Sequence, residues 1–546
     1  MPADGRPLAE QVPGPAIAAV EPGTGAIGGA ARPTRAELLA LGAVLALGAV
    51  LRFAWLPTRG QFDADQGHDM LVLRGIVTDG VLPLLGPPTS VGAGHHGALY
   101  YYLLAPAAAL NGAADPVPVV AFIALLGILA VGLTWWLARS IAGPVAGIVA
   151  ALVLAVSATS VESSTFLWNP NPIPAASALA LVGARLAWMR RSARWWLVAA
   201  LGTMIAMQCH WLASLLVPPL AALWVADVRR AGPGTPRRAL LAAGAGSLVV
   251  LAIGFVPLVI HEAQTGGEDV RAIAAWVAGG GTPASVAAPT RVLVAFLRTI
   301  GWPLGGLITD APVANALAFV LVAAIVAWRS ILGRGDERAM VVWLGGTLAF
   351  AAVTLGLLFP SSTVVAPLLP VDHYHAFLDP VVATIVGIGV AALARAGRDA
   401  PVGRPARLLG PAAAVAVVAV IVGWNALHIP PPVSPLGDWK AARTAADRII
   451  ADAGPDGEIG LAWLPGIKSS DALGYPLTVA GRPPADPATA QVVVIACDDL
   501  FVDDCAGAAE RRALDAVGGV DAFDEVDRFL PSAGRTVTVY VRRTPH

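Results

Sequence analysis

The chain has 546 residues, of which 56% are hydrophobic and only 13% charged, with a formal net charge of -1. Its mean hydropathy is +0.69, whereas soluble domains carry about 25% charged residues, so the composition excludes a soluble globular protein and points to an integral membrane protein. The near-neutral charge gives no argument for a nucleic-acid partner, and three cysteines exclude a disulfide-dense scaffold or a thiolate metal cluster.

Residues 1–34 are rich in Pro, Gly and Ala, with scattered charges and no apolar periodicity, and read as a disordered tail. No cleavable signal pattern precedes the first apolar run, which begins near Glu37 and is long enough to act as an uncleaved signal anchor. Apolar runs near 36–56, 117–138, 145–160, 172–188, 195–208, 211–225, 240–260, 313–328, 340–359, 376–394 and 409–427 predict about eleven transmembrane helices. With these spans alternating, Arg139 and the basic groups at 185–194, 229–238, 329–338 and 395–407 share one side, which the positive-inside rule makes cytoplasmic. Letting 97–110 span as well would move Arg139 and the later clusters outside. The run Tyr100 to Leu104 is therefore expected as a re-entrant or juxtamembrane helix on the outer face.

Pro430 to Pro432 break the chain after the last span, and the composition changes. Helical periodicity over 439–453 and 506–517, and strand-like runs over 458–463, 492–496 and 536–541, predict a soluble α/β domain. The expected fold is thus an α-helical polytopic membrane domain over 35–429 and a small extracytoplasmic α/β domain over 430–546. Asp498, Asp499, Asp503 and Asp504 read as a solvated acidic face, since their spacing matches no calcium loop. Cys497 and Cys505 would lie in an oxidising compartment and can bridge; Cys209, inside a span, reads as small core filler.

Chemistry concentrates at the outer ends of the spans. Asp63 and Asp65 follow the first apolar helix, where a carboxylate can act as general base, hold a divalent cation such as Mg or Mn, or simply solvate the interface. Glu162 offers a second acidic or metal-binding group on the same side. Asn169 and Asn171, in a proline-rich loop, are amide donors or plain turn residues. His95 and His96 are adjacent and point apart on most backbones, so they suit hydrogen bonding to a phosphate better than chelation of one metal. Tyr100, Tyr101, His210, His373 and Tyr374 complete the candidates for donor-phosphate or substrate binding, and Arg271, Arg291 and Arg298 can neutralise phosphate from the long loop 261–311.

The stretches FDADQGHDM, GPPTSVGAGHHGALYYYLLAP, ESSTFLWNPNPIP and DHYHAFLDP resemble, in order and in side, those of the C-type (GT-C) membrane glycosyltransferases, in the branch of protein O-mannosyltransferases and aminoarabinose transferases. The resemblance covers 36–427. It implies a polyprenyl-phosphate sugar as donor, a reaction on the outer face of the plasma membrane, and an acceptor hydroxyl on a glycan, lipid or protein. It places the family's catalytic first-loop aspartate on Asp65, with Asp63 second. This chain departs from the family pattern at Gln66, where an acidic neighbour is usual, and at the His95–His96 pair, where a lysine is usual. Two other classes fit a polytopic chain. A transporter or flippase would show internal repeats, and none is found; a non-catalytic binder of lipid-linked glycans would keep the fold without needing Asp65.

Overall fold

The computed structural model describes residues 32–89, 94–231, 233–279, 286–360, 372–396, 406–466, 469–499 and 501–543. The tail read over 1–34 lies outside them up to residue 31. Thr34 caps the first long helix, Arg35–Phe53, by accepting from the Glu37 N–H at 3.2 Å.

Eight described helices are long and apolar enough to cross a membrane: Arg35–Phe53, Val117–Ala142, Trp211–Arg230, Thr235–Gly254, Pro312–Leu332, Gly335–Leu358, His373–Arg395 and Arg407–Leu427. The three remaining expected spans are helices of a different kind. Pro144–Val156 has 13 residues and Trp195–Cys209 has 15, or about 20 Å at 1.5 Å per residue. Ile173–Arg190 carries two arginines and many small residues, and nearly all of it is buried. Its neighbour packs backbone to backbone against it: a Cβ at Gly183 would stand 2.5 Å from the Ala199 nitrogen, and one at Gly202 would stand 2.5 Å from that of Ala180. Small residues permit that approach, and helices enclosed by protein do not need the bulk that lipid contact rewards. The run at 240–260 is also not one helix. It breaks at Phe255, and Val256–Thr265 starts afresh with Pro257 in its first turn.

Arg139 pairs with Glu37, Arg185 with Asp336, and Arg329 and Arg395 with Glu337 at 2.7 and 3.3 Å. Arg395 also donates to the Ala142 carbonyl, and Arg185 to that of Ser140, so these groups form one network at one end of the bundle. Glu37 opens the first helix, so the segment following that helix lies beyond the opposite end. There the chain forms helix Ala64–Asp79, a short antiparallel hairpin of β1 (Leu85–Pro88) and β2 (His95–Gly97), and the ten-residue helix Leu99–Ala108, too short to span.

The C-terminal domain is a four-stranded sheet in the order β3 (Ile459–Leu464), β4 (Val492–Asp498), β6 (Arg535–Arg542), β5 (Phe523–Ser532), parallel between β3 and β4 and antiparallel elsewhere. Every residue of β4 is buried. Val492, Val494 and Ala496 face helices Trp439–Ala453 and Asp471–Val479, while Val493 and Ile495 pack with Leu514 of helix Ala508–Val517. The edge strand β5 escapes the sequence reading because it carries Asp524, Glu525, Asp527 and Arg528, charges of the kind that protect an edge. Cys497 and Cys505 form a disulfide, and Cys209 is a buried free thiol. Asp498 is not part of a solvated face: it is buried and pairs with Arg535 at 3.0 Å.

Candidate active site

Helix Ala64–Asp79 begins with Asp63 as N-cap in a capping box with Gln66, whose side-chain carbonyl accepts from the Asp63 N–H at 2.8 Å. Gln66, which stands where the resembled family has an acid, therefore shapes the helix start. Asp65 falls in the first turn, where the helix dipole favours a carboxylate. It is exposed, and its Oδ2 accepts from the indole Nε1–H of Trp168 at 3.1 Å. Asp63 instead turns to the C-terminal domain, where Arg535 Nη2 donates to its Oδ1 at 2.7 Å.

One turn beyond Asp65 on the same helical face lies Asp69, which is buried. The hydroxyls of Tyr100 and Tyr101 donate to its two oxygens at 2.7 and 2.8 Å. Burial pushes its carboxyl up to about 7, against the two hydroxyl bonds, which lower it; the nearby Asp65 raises it further. Tyr100 and Tyr101 are almost fully buried, so they anchor the first-loop helix rather than face a substrate. Sequence reasoning missed Asp69, although the four-residue spacing from Asp65 was the available signal.

A wall of rings leads away from Asp65. The Trp168 ring lies 4.0 Å from that of His373, His373 lies 4.1 Å from Tyr374, Tyr374 lies 5.0 Å from His210, and His210 lies 4.7 Å from His96. Strand alternation separates the two adjacent histidines. His96 turns into this wall, while His95 turns to Asp269, which accepts from its backbone N–H at 3.0 Å and contacts its Nδ1 at 3.0 Å. His210 Nδ1 accepts from the Leu212 N–H at 3.2 Å, which leaves the neutral ring's proton on Nε2 as a donor. Burial lowers His210 to about 4 and holds His96 well below the usual histidine range, with His210 and His95 next in effect. These two rings are neutral hydrogen-bonding groups at pH 7, not imidazolium cations.

The other expected residues have structural partners. Asn169 donates to the Cys209 carbonyl at 2.6 Å and Asn171 to that of Phe166 at 2.8 Å, which fixes the loop carrying Trp168. Asn171 also lines a narrow cavity with Ser163, Ser164, His373 and Asp379. Glu162 opens at the surface yet is crowded by protein atoms; this desolvation raises its carboxyl, and the acid that adds to the effect is Asp310, not Asp65. Arg271 donates to the carbonyls of Gly266 and Thr265, and Arg291 to those of Gly356 and Leu357. Both guanidinium groups thus already donate to backbone carbonyls. Among the described residues, the group with ligand atoms all within 4.8 Å of one another is His261, Glu262 and Asp269, beside His95 rather than at Asp65 and Glu162.

Residues 95–261 match the dolichyl-phosphate-mannose-protein mannosyltransferase family. That segment holds His96, Trp168 and His210 and starts after Asp65. No curated protein matches the sequence. The fold is similar to that of ArnT from Cupriavidus metallidurans in the apo state, with TM-score 0.53 and 14% identity over 92% of this chain and 97% of that one. Against the same protein bound to undecaprenyl phosphate the TM-score is 0.54, at 14% identity over 92% and 97%. The Archaeoglobus fulgidus oligosaccharyltransferase in complex with Zn and sulfate gives 0.50, at 13% identity over 85% of this chain and 68% of that one. The chain resembles the GT-C integral-membrane glycosyltransferases, in sequence over 95–261 and in fold over most of its length.

Proposed function

We propose that this chain transfers a sugar from a polyprenyl-phosphate donor to an acceptor hydroxyl on the extracytoplasmic face, with inversion and with Asp65 as general base. The observation that carries the reading is the Asp65 carboxylate, held exposed in a helix first turn and bonded by the Trp168 indole. An acceptor hydroxyl has a pKa far above neutral, so a placed carboxylate takes its proton as attack proceeds. Attack from the face opposite the phosphate inverts the anomeric carbon. The leaving group is a phosphate anion, and hydrogen-bond donors aimed at it lower the barrier. The Nε2–H of His210 is one such donor in this wall, beside the His96 ring. The outer location is supported by the arginine network at the opposite end of the bundle.

A divalent cation belongs to the proposal only through His261, Glu262 and Asp269, which would hold it and let it supply positive charge beside His95. Two carboxylates and an imidazole suit Mn better than Mg, which prefers oxygen donors and retains several waters. Chelation should then lower turnover as Asp269→Asn does, and Mn addition should restore the chelated wild type but not that variant, whereas Glu162→Gln should not share the loss.

Neutral rings give a further expectation. A phosphodiester donor does not titrate near neutral pH, and burial holds His210 down to about 4 and His96 well below the usual histidine range. Neither ring is therefore expected to make affinity for polyprenyl-phosphate mannose depend on pH near neutrality. A titration of Asp69→Asn, which removes the carboxyl raised to about 7, that still weakened steeply toward pH 8 would show that an imidazolium makes the contact instead.

The decisive test is incubation of the purified protein with polyprenyl-phosphate sugars and hydroxyl acceptors, reading released polyprenyl phosphate and the anomeric configuration of the product. Tight donor binding without release from any sugar tried would favour the non-catalytic binder.

A further inference from the structure

The residues on both sides of Asp65 are held by the C-terminal domain. Before it, the Phe62 N–H donates to the Gly437 carbonyl at 3.0 Å, and the Phe62 ring lies 5.0 Å from Trp439 and 6.0 Å from Tyr475. The N-cap, Asp63, takes its 2.7 Å bond from Arg535. After Asp65, a Cβ at Gly67 would stand 2.0 Å from the Asp471 carbonyl oxygen, and His68 Nδ1 lies 3.1 Å from the Asp471 carboxylate. Glycine at 67 is what lets the two backbones meet.

Arg535 is the central contact. Its Nε donates to Asp498 Oδ1 at 3.0 Å while its Nη2 reaches Asp63, so one buried guanidinium is shared by a carboxylate from each domain. It lies 4.7 Å over the Trp463 ring, and the Trp463 indole donates to Asp498 at 3.3 Å. Asp498 follows Cys497 of the disulfide, so a covalent staple adjoins the arginine's anchor. Domain docking does not depend on this arginine alone. Trp439 donates to Asp115 at 3.1 Å and the Tyr475 hydroxyl donates to the Ala113 carbonyl at 3.0 Å, so both also hold residues outside helix Ala64–Asp79.

We propose that the C-terminal domain is a positioning element for Asp65, acting through Arg535 on the N-cap Asp63. The proposal rests on the reading of Asp65 as base. Without the guanidinium, two carboxylates face each other in a half-dry interface, and the first turn of helix Ala64–Asp79 loses its outer anchor. A misplacement of about 1 Å at a reacting group can lower turnover by about 10².

The test compares full-length Arg535→Met, Asp63→Ser and the double variant with wild type. Serine retains the cap but is too short to reach Arg535. The readouts are kcat and KM for the polyprenyl-phosphate sugar that wild type turns over, and amide exchange in peptides spanning 62–70. Each single variant is expected to lower kcat at least about tenfold with KM within about twofold, and to speed exchange in that segment. The double variant should be no worse than Arg535→Met, because both remove the same contact. Wild-type kcat and exchange in both single variants would overturn the proposal, as would additive losses or a matching rise in KM. Should Arg535→Met not fold, Asp63→Ser alone decides by the same criteria. Failure of the underlying reading is seen separately, as near-normal turnover in Asp65→Asn.

Discussion

Asp65→Asn is expected to lower sugar transfer by about 10²–10⁴-fold, the usual loss when a general base is removed. The protein should remain folded, because Asp65 is exposed and the helix start is secured by Asp63 and Gln66. Asparagine can still accept from the Trp168 indole, so the ring wall should keep its arrangement. Donor affinity should therefore change little while kcat collapses, the signature of an interaction made in the transition state. Turnover and donor binding measured on the same purified variant check this. An Asp65→Asn enzyme with near-normal kcat would remove the carboxylate from the mechanism.

Asp69→Asn should change the pH profile of stability rather than the chemistry. Folded Asp69 titrates at about 7, against an ordinary value of 3.8. Between these values the folded chain holds a proton that the unfolded chain has lost, so this group's contribution to stability falls as pH rises through that window and is level above it. Asparagine carries no such proton. Relative to wild type, the variant should gain stability from pH 4 to pH 8 by an amount on the order of 4 kcal/mol at most, at about 1.4 kcal/mol per unit. Asp69→Ala should behave differently, because it strands two buried tyrosine hydroxyls at about 1–3 kcal/mol each at every pH. Thermal unfolding in detergent across that pH range separates the cases. Parallel profiles for wild type and Asp69→Asn would mean that Asp69 is ionised throughout.

The sequence carries those features of the site that depend on local chemistry. Asp63 at the helix start and Asp65 within its first turn follow from capping preference and the end of an apolar run. The alternation of a strand is enough to send His95 and His96 apart. The roles of their neighbours are not local. Tyr100 and Tyr101 look like ligand donors in a linear reading, and only packing turns them onto Asp69, 31 and 32 residues away. The charge of His96 and His210 is equally invisible in sequence, since burial sets it and burial is a property of the assembled bundle.

By itself, the sequence determined that the chain is a polytopic helical membrane protein, that an α/β segment follows the last span, and that polar residues gather at the ends of the spans away from the arginine network. These follow from hydropathy, periodicity and charge bias, each of which is written within a window of about 20 residues. Tertiary structure decided which helices are enclosed by others, which acid meets which base, and that Trp168 and Arg535 reach Asp65 and its N-cap across 103 and 472 residues. Such pairings depend on which surfaces close packing brings together, and no local pattern of residues encodes a partner that distant.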